Sequence, residues 1–430
     1  MKENAFFCTG NLPKWKQLLL VGGDNMDCKD PSKQVENIQM IFFRDNLSSI
    51  LLTNWGKMCT ILGYTIYVGL SIYGLTQLNE YFSAHQVFRT DSHLYEFSLT
   101  EDKYPPEYPS RMELLITSPL DYSNLTVQAQ VNNLIDKLSH LEFMTIEFNE
   151  NWLLSFTKWA EIYKEFEPID ISTEQGFIDT LRNLYLSPES HSSLDIVFNE
   201  DYTKIIASRF LLQIKGLKQK EQDFVTVVSA AREIVEKEEN FDAYVSTFWN
   251  RLVDEITMIR MLSIKLMVAA SIVVLAVALV FIPSFVVASC VFFVIVSTQV
   301  GVIGFMSLWG VSLDPLSLAS LVMCIGFSVD FAAHVSYSYV AAKDDTPEEK
   351  MRSSLHAVGL PVLQGAFSTL IGAAPLVLVP SYTFVLVFKI VFLVMVFSSM
   401  HALLLLPVVL VFLDKMISKG KSGSIIITRM

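Results

Sequence analysis

LDPLSLASLVMCIGFSVDFAAHVSYSYVAA, residues 313–342, is an apolar run with one acid near its centre, Asp330. An ionised carboxylate at bilayer depth is costly, and such residues mark functional sites. Gly326 lies one helical turn before Asp330 and His334 one turn after, so the three share a face. The reading expects that face to look into a helix bundle and to carry a protonation or cation switch.

The surrounding composition agrees with a membrane setting. Of 430 residues, 52% are hydrophobic and 18% are charged, where soluble domains average about 25% charged. No charge occurs between Leu266 and Leu313, and a span needs roughly 20 apolar residues, so that run holds two helices. Six spans are expected in a polytopic α-helical membrane protein: 58–78, then a five-helix bundle over 261–413 with spans at 263–281, 284–309, 313–340, 359–380 and 384–413. Asp314-Pro315 reads as an N-cap followed by Pro at the first helical position. The link 341–357 reads as a loop.

Residues 79–260 form one polar domain with 31 acidic and 16 basic side chains. That balance argues against nucleic acid as a partner and suits a domain kept soluble by its charge outside the cytosol. Strand-like pieces fall at Met112–Ile116, Met144–Phe148, Leu194–Phe198 and Lys204–Gln213. Helix-like stretches fall at Val127–His140, Trp152–Phe166, Thr173–Tyr185 and Gln219–Glu238. The repeated β-α-β order predicts an α/β domain with helices on one face of a sheet. Asn124-Leu-Thr126 is a glycosylation sequon.

Lys57, Lys343, Lys350, Arg352 and Lys415 gather at one side of the spans, which predicts cytosolic termini and an exoplasmic 79–260 domain. Residues 1–57 read as a cytosolic tail, and 414–430 as a short basic one. Over 37–55, Ile38, Ile41, Phe42, Ile50 and Leu51 fall near one helical face, read as an interfacial amphipathic helix or a short core helix. No signal peptide is expected. Cys8, Cys28, Cys59, Cys290 and Cys324 lack metal-ligand spacing and read as free thiols. No nucleotide loop, nucleophile elbow or zinc-protease motif occurs. No enzyme, metal or cofactor is expected.

At about 1.5 Å per residue from the outer end of each span, Asp330 lies roughly 22 Å deep, Gln364 roughly 24 Å and His401 roughly 25 Å. Three polar side chains on three helices thus fall at one level, with His334 one turn below Asp330. Burial raises a carboxylate's pKa and a nearby imidazolium lowers it, so the balance sets a group able to titrate near neutrality. Gly326, Gly365 and Gly372 are expected to permit close helix packing. The bland alternative is a neutral structural acid and ordinary interhelical hydrogen bonds. Lys389 is expected to reach for the interface.

These motifs carry a resemblance. GFSVD at Gly326–Asp330 resembles the GxxxD/E pattern of the acid-bearing helix in the Patched, Dispatched and Niemann–Pick type C branch of the RND superfamily. PVLQGAFSTLIGAAPL at 361–376 and FKIVFLVMVFSSMHALLLLPVVL from Phe388 resemble the last two helices of Patched-related proteins. FFRD before the first span resembles the cytosolic helix that opens their second half. The resemblance covers residues 40–413 and implies a ferredoxin-like, porter-type α/β domain. It also implies transport of a sterol or other membrane lipid, in a plasma or endosomal membrane, driven by a proton or cation gradient through Asp330. The family has two such halves, so an amino-terminal half or a second copy is the implied partner. The alternatives are a non-transporting receptor or scaffold that displays the exoplasmic domain, and an inactive fragment of a twelve-span protein.

Overall fold

The computed structural model describes residues 26–27, 30–34, 38–80, 88–186, 191–217 and 220–427. Most of the tail before residue 38, with Cys8 and Cys28, lies outside the described residues, as do residues 428–430. In chain order the helices are α1 Asn54–Thr76, α2 His93–Lys103, α3 Leu125–Ser139, α4 Trp152–Tyr163, α5 Glu174–Thr180, α6 Lys220–Glu236, α7 Asn250–Phe281, α8 Phe285–Leu308, α9 Pro315–Ala341, α10 Pro347–Ala373, α11 Tyr382–Met400 and α12 Leu406–Ile427. The strands of the Tyr81–Arg260 unit are β1 Arg111–Ile116, β2 Met144–Glu150, β3 Ile196–Phe198, β4 Ile205–Ile214 and β5 Ala243–Thr247; a short antiparallel pair, Met26–Asp27 with Asp30–Gln34, precedes α1. A π turn, His401–Leu405, joins α11 to α12. The chain divides into two units, Tyr81–Arg260 and the remainder.

Six helices are long and apolar enough to cross a membrane: α1, α7, α8, α9, α10 with its extension to Leu378, and α11 continuing to Ile417. Local caps set several of their starts. Thr53 accepts from the Gly56 amide at 3.0 Å. Asp314 and Ser317 form a reciprocal capping box, at 2.7 and 2.8 Å. Thr346 accepts from the Glu349 amide, with Pro347 in the first turn. That last cap corrects the loop expected over 341–357: residues from Pro347 onward are helical. Their charges are accommodated outside the apolar span, Glu348 pairing with Lys415 and Arg352 donating to Ser49 at 3.2 Å.

Glycine decides where helices meet most closely. A methyl group at Gly74 would overlap the main chain of Gly304, one at Gly304 would overlap Ser71, and one at Gly301 would overlap the Tyr67 ring. The α1–α8 seam therefore depends on having no side chain at these positions. The packing role expected of Gly326, Gly365 and Gly372 needs correction. Among the described residues, nothing lies within 4 Å of a methyl at Gly326 or Gly372, and Gly365 meets only the Phe331 ring, at 3.7 Å. These glycines sit on or beside a surface that the six helices leave uncovered. The helical segment 38–52 buries Phe43, Ser48 and Leu51 but leaves Phe42 and Ile50 exposed. Phe43 lies against Gly359 of α10.

The second unit is an antiparallel sheet in the order β2-β4-β1-β5, with β3 also paired to β4. Its crossovers β1-α3-β2 and β4-α6-β5 interleave, because β4 lies between β1 and β2 while β1 lies between β4 and β5. That is the split β-α-β plan of ferredoxin-like domains. Met112, Leu114 and Ile116 alternate into the core opposite Leu212, Phe210 and Ser208. Trp152 stacks on Phe210, with ring centres 5.7 Å apart, and meets Tyr122 edge-on at 5.2 Å. Tyr122 hydrogen-bonds Ser208 at 2.6 Å, and burial pushes its hydroxyl up to about 12. Phe148, at φ 62°, sits in the irregular part of β2 between Thr145 and Glu150, consistent with a bulge that re-aims an edge strand.

The glycine seam makes a contrast that can be measured. Gly304→Ala should destabilise the detergent-solubilised protein by about 1–3 kcal/mol through overpacking, read as a lower melting temperature. Gly326→Ala should leave the melting temperature of the same preparation unchanged.

Candidate functional site

Helix α9 has two faces. Leu318, Leu321, Ile325, Ser328, Ala332, Val335, Ser336 and Tyr339 are buried. Met323, Gly326, Phe327, Asp330, His334 and Tyr337 form the opposite, exposed stripe. Gly326, Asp330 and His334 thus share a face, as the spacing requires. That face looks out of the bundle, and the expectation that it looks inward is overturned. Helical period assigns residues to a common side but does not say which side meets a neighbour. Among the described residues, Asp330 makes no hydrogen bond or ion pair.

Gln364 on α10 is also exposed, in a stripe with Pro361, Phe367, Ser368 and Ile371. The Phe331–Gly365 approach places α9 and α10 side by side at the level of Asp330 and Gln364. Higher along α9, Ser354 of α10 donates to the Val335 carbonyl at 3.0 Å. Asp330, His334 and Gln364 therefore occupy two adjacent helices and are all exposed, without a hydrogen bond joining them.

His401 belongs elsewhere. It is buried, and its ring meets Tyr67 of α1 with centres 4.9 Å apart. Its Nδ1 lies 2.8 Å from the Phe397 carbonyl, and its Nε2 lies 3.0 Å from Ser297 Oγ on α8. The Tyr64 hydroxyl lies 3.0 Å from the same Ser297 oxygen, and Tyr67 donates to the Ser297 carbonyl at 3.1 Å. The depth estimate put His401 with Asp330; its direction around the helix puts it with α1 and α8. Sequence reasoning missed Ser297. Its signal is the polar triplet Ser297-Thr298-Gln299 inside an otherwise apolar run, all three buried. Gln299 accepts from Ser271 at 3.1 Å.

Lys389 donates to the Trp309 carbonyl at 3.0 Å, at the carboxyl end of α8. A cation there meets the negative end of the helix dipole, a fixed partner where free reach to the interface was expected. Asn124 is exposed and caps α3 through the Thr126 amide at 2.9 Å. Cys59 is exposed and Cys290 is buried, both as free thiols. Among the described residues, no cluster of His, Cys, Asp and Glu could hold a metal ion.

Six spanning helices with an antiparallel α/β unit inserted after the first make a fold that a solved structure shares. The hedgehog release protein Disp from the water bear Hypsibius dujardini superposes with a TM-score of 0.61 at 14% identity, over 87% of this chain and 50% of the other. A Niemann-Pick type C1-related protein of Toxoplasma gondii is 23% identical over 386 residues, which are 89% of this chain and 32% of the relative. Patched-related protein 9 of Caenorhabditis elegans is 32% identical over 169 residues, 39% of this chain and 18% of the relative. No family model matches. The chain is a multi-pass integral membrane protein similar, over part of their length, to Niemann-Pick type C1-related and Patched-related proteins. It spans about a third or less of the length of these curated relatives.

The buried hydroxyl cluster can be tested directly. Ser297→Ala leaves His401 Nε2 and the Tyr64 hydroxyl without their shared partner, which should cost about 1–3 kcal/mol in thermal unfolding. Ser399→Ala, which removes a hydroxyl bonded only to its own helix at 3.0 Å, should change the melting temperature little.

Proposed function

We propose that the chain is one half of a transporter for a sterol or another membrane lipid, coupled to a proton or cation gradient through Asp330. In this reading the α/β unit lies outside the cytosol and the membrane is the plasma or an endosomal one. One observation carries it: a carboxylate halfway along a spanning helix, exposed and without a partner among the described residues. Against hydrocarbon a charge at that depth costs about 2.5–3.5 kcal/mol on insertion scales. A second six-helix bundle laid over α9 and α10 removes that cost and supplies neighbours.

The half-length match to the water-bear protein supports such a bundle. A lipid cargo is supported by a further relative, the NPC intracellular cholesterol transporter 1 homolog 1b of Drosophila melanogaster, 34% identical over 122 residues. Asp330 takes up and releases the ion. His334 and Gln364, exposed beside it, offer hydrogen bonds across the seam. Gly326, Gly365 and Gly372 let the second bundle approach closely. Because the acid lies at the junction, its change of charge alters how the two bundles pack, which is how an ion is made to move helices. His401 stands outside this set.

Asp330→Asn should abolish uptake of a fluorescent sterol in cells while abundance and membrane delivery stay normal; uptake at the wild-type rate ends the proposal. A cysteine at Phe327 should cross-link, in native membranes, to a second copy or another membrane chain. A cysteine at Leu62, exposed on α1, should not.

A further inference from the structure

The sequence holds two asparagine sequons, Asn46-Leu47-Ser48 and Asn124-Leu125-Thr126. They share the same central residue, and the structure separates them. In the first, Ser48 is fully buried and its hydroxyl donates to the Arg44 carbonyl. Asn46 lies within the helical segment whose Phe43 packs on Gly359 of α10. That tripeptide is wound into helix, and its hydroxyl is spent. In the second, all three residues are exposed. They form the turn that opens α3, where Asn124 Oδ1 accepts from the Thr126 amide at 2.9 Å. Among the described residues, Asn124 Nδ2 and the Thr126 hydroxyl make no hydrogen bond.

The turn divides the two ends of one carboxamide between two tasks. A side-chain oxygen that accepts from the amide two residues on is an Asx turn, and here it also caps a helix. That leaves Nδ2 as the unspent polar atom. Joining a sugar to Nδ2 keeps the carbonyl oxygen and one N–H, so the cap survives the modification. Leu125, between the two, is 78% exposed, and a bulky, solubilising group on Asn124 shades it.

We propose that Asn124 carries an N-linked oligosaccharide and that Asn46 does not. The anomeric carbon of an oligosaccharide held on a polyprenyl pyrophosphate forms a bond to Nδ2; the pyrophosphate leaves, and the nitrogen loses one proton. A branched sugar at the opening of α3 keeps that corner of the α/β unit clear of any second chain. The proposal rests on the exoplasmic placement of this unit and is independent of Asp330.

The test expresses the full chain in cultured animal cells and treats it with a glycosidase that cleaves N-linked sugars. Wild type should show one glycosidase-sensitive step in gel mobility. Thr126→Ala should abolish the step and Asn46→Gln should leave it. Asn124→Asp should also abolish it, with an unchanged melting temperature, since aspartate caps as well as asparagine. Asp170→Asn supplies the control for placement. Asp170 is exposed and already accepts from the Ser172 amide at 2.9 Å, so that single change completes a sequon with Ile171 and Ser172 on a second turn of the same kind. It should add a further step. Sugar on the Asp170→Asn site with none on Asn124 would overturn the proposal and leave the placement standing. No sugar on either would overturn both, as would a step lost in Asn46→Gln.

Discussion

The fold is arranged around the cost of leaving an ionisable group in hydrocarbon. Asp330 sits about four turns into α9, far from either end of the helix. Many other polar groups of the membrane unit have a local solution. Serines and threonines turn back onto their own helix carbonyls, as Ser71 does to Tyr67 and Thr298 to Val294. Lys389 closes the end of α8, and His401 is enclosed by Ser297 and two tyrosines. Asp330, His334 and Gln364 stand apart because no solution for them exists within these six helices. A surface so costly when bare is a surface that expects to be covered.

The α1–α8 seam shows the opposite case, an interface completed within the chain. Glycine on both helices brings main chains into contact, and Tyr67 then fills the next turn, packed among Phe305, Phe397 and His401. Apolar side chains in a bilayer gain nothing by leaving lipid, so close packing and buried hydrogen bonds must hold the helices together. The hydroxyl of Ser297 joins α1, α8 and the π turn after α11.

What could be read from the sequence follows from which signals are local. The charge-free run from Leu266 to Leu313 can be nothing but membrane helix, and the strands from β1 to β4 announced themselves by alternation. β5, Ala243–Thr247, was not read from the sequence. The start of α10 was hidden by its charges, although Thr346 and Pro347 form a regular helix opening. For Asp330 the sequence specified depth and face and left the facing neighbour open, since that depends on the whole bundle. For His401 it specified depth only. The packing glycines were misplaced for the same reason: Gly326 and Gly304 look alike until a second helix is set beside them.

The π turn at His401–Leu405 carries a lesson about phase. Such a turn holds one residue more than the α-helical turn it replaces, so the helix beyond it is rotated by about 100° relative to an unbroken one. Past it, Asp414 accepts a hydrogen bond from Tyr339 of α9 at 2.8 Å. That meeting exists only because the surplus residue has wound α12 into place. Removing any single residue from the turn would give a straighter, more regular helix whose far end pointed the wrong way, so here an irregularity works as the timing mark that aligns one half of a rod with another.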